Sequence, residues 1–169
     1  MKKIFSIVLI LLSLSIQSQN IHFVDDEYFT ASLAVDPSAS LKEDSPNVAF
    51  EIELVSYWKY VKANVQVLPG LEGGYLDLTG GFGANLTHGK FDKVRYYGGV
   101  RLGVIKRGMD EGETCTYPMW GLEGGIDVKL TDSFFIGVRT TGDWREDFLY
   151  TGGEPGLRYS GFGRVGFKF

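Results

Sequence analysis

From Tyr28 to the last residue, apolar and polar side chains alternate with a period of two. That period sends successive side chains to opposite faces of a strand. No segment sustains the i, i+3, i+4 apolar spacing of a capped amphipathic helix. The alternation predicts eight strands: Tyr28–Val35, Val48–Trp58, Lys59–Leu68, Tyr75–Leu86, Val94–Lys106, Met119–Leu130, Phe134–Trp144 and Tyr159–Phe169. Their lengths centre on the ~9–11 residues that a tilted strand needs to cross a bilayer, beyond the ~5–6 of an average strand. The connections alternate as well. DPSASLKEDSPN, PGLEGG, GMDEGETCTYP and REDFLYTGGEPGLR fall on one side, while the turn around Tyr57–Tyr60, THGKFDK and TDS fall on the other. Longer loops on one side and mostly short turns on the other are the asymmetry of outer-membrane barrels. An even strand number then brings both termini to the periplasmic side.

The two faces of these strands differ in kind. One parity carries Phe29, Leu33, Phe50, Ile52, Val61, Val65, Leu78, Phe82, Leu102, Leu122, Ile126, Ile136, Val138, Val165 and Phe167, and the expectation is that no outward position in the eight strands is charged. The other parity carries Glu51, Glu53, Lys62, Asp77, Arg95, Arg101, Glu123, Asp127, Lys129, Arg139, Asp143, Arg164 and Lys168. Acids and bases there nearly balance. A soluble lipocalin-like barrel would have to bury these charges, at several kcal/mol for each unpaired ion. Lipid outside and an ion-paired lumen inside accounts for both faces, since a Lys or Arg facing lipid at midplane costs ~2–4 kcal/mol. The expected fold class is therefore all-β, an eight-stranded antiparallel up-and-down transmembrane β-barrel spanning 28–169. Its charged interior is expected to act as a structural ion-pair network that plugs the lumen.

Composition adds three points. With 169 residues the chain is one barrel domain, and its net charge of −4 without a basic run speaks against nucleic acid. The 23 glycines are scattered through the apolar stretches. In a narrow barrel they give room to interior side chains and let strands coil. The opening MKKIFSIVLILLSLSIQSQ has a basic start, an apolar core and a small residue at Ser18. It predicts a secretory signal peptide over 1–18, too short and wrongly flanked for a membrane helix, followed by a short periplasmic segment at 19–27. Aromatic residues at strand ends are expected in two interfacial girdles. Trp58, Tyr60, Phe91, Phe134 and Phe169 would form the periplasmic one, and Tyr75, Tyr117, Trp120, Trp144, Tyr150 and Tyr159 the outer one.

Signal peptide, eight alternating strands and the ending GFKF together resemble the small bacterial outer-membrane barrels of the OmpA/OmpX type. The resemblance implies a cell outer-membrane location, lipid and lipopolysaccharide as surroundings, and a monomer. It also implies that Phe167 and Phe169 form a signal for the outer-membrane assembly machinery. Some barrels of this shape are enzymes, among them lipid A deacylases and palmitoyl-transferring barrels, which use a His near the outer rim. After the signal peptide this chain has only His22, in the N-terminal tail, and His88, in a turn on the wrong side. A Ser nucleophile without a base is inert. No catalytic, cofactor-binding or metal-ligating set emerges, and Cys115 lacks a partner for a bridge or a metal. The expectation is a non-enzymatic structural or surface-interaction protein, with a small-solute channel as the alternative. A surface ligand would meet the acidic cluster Asp110, Glu111 and Glu113 beside Cys115 and Tyr117, or the apolar patch Phe148, Leu149 and Tyr150.

Overall fold

A computed structural model describes residues 21–37, 47–67, 74–89, 93–108, 114–147 and 154–169. The expected signal peptide, Phe91 and both loop clusters (Asp110, Glu111 and Glu113; Phe148, Leu149 and Tyr150) lie outside the described residues. Alternation becomes nine strands: β1 (Ile21–His22), β2 (Tyr28–Asp36), β3 (Asn47–Ser56), β4 (Lys59–Val67), β5 (Tyr75–His88), β6 (Val94–Gly108), β7 (Thr114–Lys129), β8 (Phe134–Arg145) and β9 (Gly156–Lys168). Each of β2 to β9 pairs antiparallel with its chain neighbours. Pairing of β2 with β9, from Thr30↔Lys168 to Val35↔Gly163, closes the ring. The fold is a closed eight-stranded up-and-down barrel, so no barrel strand is left as an open edge along its shared length.

Burial follows parity. Leu102, Leu122, Val138, Phe82 and Val61 point outward and are more than half exposed, whereas Glu51, Glu53, Arg139 and Arg164 are at most 2 % exposed. The expectation of an outward face without charge needs correction, because Lys59 and Lys106 share the outward parity; both are exposed and sit near strand ends, where a long side chain can reach past the apolar band.

The structure departs from the sequence reading in three places. β5 runs on to His88, so that residue belongs to a strand and not to a turn. β7 begins at Thr114, five residues before the expected Met119. TCTYP contains a proline and looks like loop. Yet Met119 is the last β7 residue with a partner on β8, so on that side the missing N–H of Pro118 forfeits no ladder bond. Finally, the N-terminal segment forms β1, which pairs with the end of β5 through Ile21↔His88 and His22↔Thr87.

β1 can dock there because the β3–β4 hairpin stops short. Its connection is Tyr57 and Trp58 alone, and Tyr57 adopts φ 47°. The left-handed region costs a side-chain-bearing residue ~1–2 kcal/mol. Three hydrogen bonds, each worth ~1 kcal/mol net, hold the turn in place. The Tyr57 carbonyl accepts Val24 N–H (3.2 Å) and Asn85 Nδ2–H (3.0 Å), and the Trp58 carbonyl accepts Asn85 N–H (2.7 Å). Val24 is thereby drawn into a buried cluster with Val55, Tyr60 and Tyr97 at the end of the barrel where Ile21 and Phe169 lie, the termini of the described chain.

Candidate functional site

The lumen concentrates the chemistry of this chain, and its side chains sort into two clusters by height along the barrel axis. The lower cluster lies nearer the termini. Arg164 is its hub: Nη2 lies 3.2 Å from Glu51 Oε2 and 3.4 Å from Glu53 Oε2, and Nη1 lies 3.5 Å from Asp127 Oδ1. The same guanidinium donates to the Tyr97 hydroxyl (2.8 Å) and to Ser32 Oγ (3.1 Å), and Ser32 donates onward to Glu51 (3.0 Å). Arg95 joins Glu53 (2.9 Å) to Asp127 (2.7 Å), and Arg139 pairs with Glu51. Lys62 lies 3.2 Å from Glu123, which also accepts the Tyr60 hydroxyl at 2.8 Å. Four acids thus face four bases.

The upper cluster lies toward the other end. Arg101 donates to Asp143 (3.2 Å) and Thr79 (3.0 Å) and lies 3.8 Å from Asp77. Above it, Asp147 is fully buried and accepts from Arg107 Nε (2.7 Å) and from Arg145 Nε and Nη2 (3.0 and 2.9 Å). Both guanidinium groups lie over the Tyr75 ring, each 5.3 Å from its centroid. Asp147 stands beyond the end of β8. Burial pushes its carboxyl up, but the hydrogen bonds and charge of Arg145 and Arg107 outweigh that and hold it below the ordinary aspartate range.

Of the thirteen charged residues expected on the inward face, eleven are buried, while Lys129 and Lys168 are partly exposed. The eleven form the two ion-paired clusters, bridged by neutral side chains: Arg139 donates to Asn64 Oδ1 (3.4 Å), Asn64 donates to Thr79 (3.1 Å), and Thr79 also accepts from Arg101. Lys129 belongs to neither, because it lies at the rim and pairs with exposed Asp132 at 3.1 Å. Three expected girdle residues are also elsewhere: Tyr117 faces buried Ile105 across the ladder and so shares the inward parity. Tyr60 (1 % exposed) and Tyr75 (8 %) point into the lumen, whereas Trp58, Trp120, Tyr159 and Phe169 are exposed and Trp144 stacks on Trp120 with centroids 6.3 Å apart. Parity carried the signal, since Tyr60 shares the face of Lys62 and Tyr75 that of Asp77. Extending parity past the expected strand ends would likewise have reached Arg107, Arg145 and Asp147.

Glycines make the clusters fit. A Cβ on Gly81 would lie 2.8 Å from Glu123 Oε1, and one on Gly137 would run into Asp127 Oδ1. Phe167 of the expected assembly signal faces outward against Phe134, with centroids 5.4 Å apart, and Phe169 N–H donates to the Phe29 carbonyl at 2.9 Å. His22 and His88 meet at the end with the termini, on neighbouring strands. Ile21 faces His88 and Thr87 faces His22, so alternation sends the two imidazoles to opposite sides of the sheet. Among the described residues no group of three or more His, Cys, Asp or Glu is arranged to hold a metal ion.

No family model matches the chain, and no curated protein matches it in sequence. Solved structures do match in fold. The N-terminal β-barrel domain of Pseudomonas aeruginosa OprF is similar over 90 % of this chain and 100 % of its own, at 15 % identity and a TM-score of 0.52. A de novo designed transmembrane β-barrel is similar over 84 % of this chain and 95 % of its own, at 10 % identity and a TM-score of 0.52. At these identities the likeness is one of fold: a transmembrane barrel of the OmpA type.

Proposed function

We propose that this chain is an integral outer-membrane barrel with both termini periplasmic and a lumen plugged by its own ion pairs. Its role is structural or interactive, exercised through the longer loops, and not enzymatic. One observation carries the reading: the barrel is inside out relative to a soluble protein. Mid-strand outward positions are uncharged, largely apolar and mostly exposed, while charged side chains fill the inside. In water such a surface would be a continuous apolar belt far larger than a soluble monomer tolerates. Facing lipid, it is the low-energy arrangement. The N-terminal segment supports the plug, since Val24 packs beneath Tyr60 and Tyr97 across the mouth near the termini. Outer-membrane lipid and lipopolysaccharide are the surroundings this surface fits, and the outward Phe167 and the terminal Phe169 are what the assembly machinery would read.

The test has two readouts. Expressed in a Gram-negative host, the protein should remain in the membrane after carbonate washing and migrate faster unboiled than boiled on a denaturing gel. Release into the aqueous fraction would overturn the membrane reading. Reconstituted in planar bilayers, it should show no conductance steps; regular single-channel steps would overturn the plugged lumen and favour the small-solute channel.

A further inference from the structure

At the end of the barrel where the termini lie, Tyr28, Thr30, Arg95, Lys129, Phe135 and Lys168 line a partly enclosed cavity. About 40 Å³ of it is open to the centres of water molecules. A single water needs only ~10–15 Å³ on that measure, so the space suits a few waters or one small polyatomic group. Thr30 and Lys168 are direct partners on β2 and β9, so their side chains stand on one face; Arg95 enters from β6. Three strands therefore converge on the cavity.

The donors there are unmet. Among the described residues Thr30 Oγ1 and Arg95 Nη1 have no hydrogen-bond partner, although the two residues are only 2 % and 4 % exposed. Leaving buried donors unsatisfied costs ~1–3 kcal/mol each, and more for a charged group. Charge is unmet as well. Acids and bases match within the lower cluster, and again within the upper one, and Lys129 is held by Asp132. At this end Lys168 is an inward-parity cation whose ammonium rests 4.0 Å above the Tyr28 ring and makes no ion pair among the described residues. Two carboxylates also line the cavity; both are ion-paired, although Asp127 Oδ1 accepts no hydrogen bond among the described residues. Asp127 is engaged by Arg95 through Oδ2 and lies 3.5 Å from Arg164 through Oδ1, while Asp132 is fully exposed and paired.

We propose that this cavity binds one tetrahedral oxyanion of the phosphate or sulfate type, held by Arg95 Nη1, Thr30 Oγ1 and Lys168 Nζ. A guanidinium, a hydroxyl and an ammonium from three directions suit a tetrahedral anion better than a planar carboxylate. The site goes beyond the membrane role above. Chain refolded in detergent carries it in either case, so the two readings fail separately.

Inorganic phosphate is the probe, added to refolded full-length protein at constant ionic strength maintained with chloride. Binding is read by phosphorus NMR line broadening and by the thermal midpoint. Saturable binding to the wild type is expected. Thr30→Val and Lys168→Gln should each weaken it about ten-fold or more, while Lys106→Gln, exposed at the opposite end, leaves it unchanged. Phosphate also stabilises proteins generally by exclusion from their surfaces, an effect that does not saturate and survives in every variant. A midpoint that rises linearly and equally in wild type and variants would overturn the site, as would an NMR signal unaffected by wild-type protein. Should Lys168→Gln fail to fold, Thr30→Val and the wild-type titration decide the matter.

Discussion

Lys62 and Glu123 offer the sharpest test of a plugged lumen. Their side chains are 1 % and 2 % exposed, and Glu123 is the one carboxylate within 4 Å of the Lys62 ammonium among the described residues. Lys62→Met leaves Glu123 buried with only the Tyr60 hydroxyl for support. Glu123→Gln keeps that hydroxyl bond through its amide oxygen but leaves the ammonium over the Tyr97 ring with no carboxylate at ion-pair distance among the described residues. Breaking a buried pair from one side costs about 3–5 kcal/mol, so each single variant should lose that much. The double variant removes both charges and leaves chiefly an unmatched amide N–H, at about 1–3 kcal/mol. It should therefore be more stable than either single variant. Urea unfolding in detergent, followed by tryptophan fluorescence and by gel mobility, gives the three free energies, provided the slope with urea is unchanged. Solvent-filled lumens behave otherwise: there an ion pair is worth about 0–1 kcal/mol and both losses would be small and additive. That outcome would refute the dry network and with it the plug.

Other expectations rest on different parts of the barrel. Val138→Arg places a charge on the outward face between Ile126 and Gly163, and should cost about 2–4 kcal/mol in lipid, while Ser133→Arg in the exposed β7–β8 connection should assemble normally. The yield of heat-modifiable protein in the membrane fraction distinguishes them. Gly99→Ala would set a Cβ 2.7 Å from the Tyr60 hydroxyl and against the Phe82 carbonyl, an overpacking of about 1–3 kcal/mol or more. A Cβ on Gly161 meets nothing within 4 Å, so Gly161→Ala should be neutral or stabilising in the same unfolding assay. Acid should loosen the end opposite the termini. Because the Asp147 carboxyl is held below its unfolded value of about 3.9, its stabilisation is complete above that pH and is lost as pH falls through the lower folded value. A melting series from pH 6 to pH 2 should show a steeper acid limb in the wild type than in Asp147→Asn; equal limbs would count against the clamp.

The two faces of the barrel were legible in the sequence because lipid enforces them: a charge at mid-strand on the outward parity is expensive wherever it falls. Strand ends were less so, because beyond the apolar band nothing enforces alternation. Hence Thr114–Pro118, paired on one side only, looked like loop. Tyr60 and Tyr75 were misplaced for a related reason. An aromatic ring near a strand end suits an interface, but parity aims these two inward, where their hydroxyls reach Glu123 and Asp77.

Ion-pair partners were the least legible, and the geometry of a narrow barrel says why. Glu53 and Lys62 face each other directly across the β3–β4 ladder, an arrangement that a strand-by-strand reading would pair. Instead Lys62 reaches Glu123 on β7, and Glu53 meets Arg95 on β6 and Arg164 on β9. Eight strands enclose so little space that long inward side chains span it, so partners are chosen by height along the axis as much as by neighbourhood in the sheet. Arg95 and Asp127 are both ladder partners and an ion pair because ladder and height agree there. Lys168 is the converse. Its ladder partner is Thr30, its ammonium rests over the Tyr28 ring, and among the described residues no carboxylate lies at ion-pair distance from it, which is the gap an anion from outside the chain would fill.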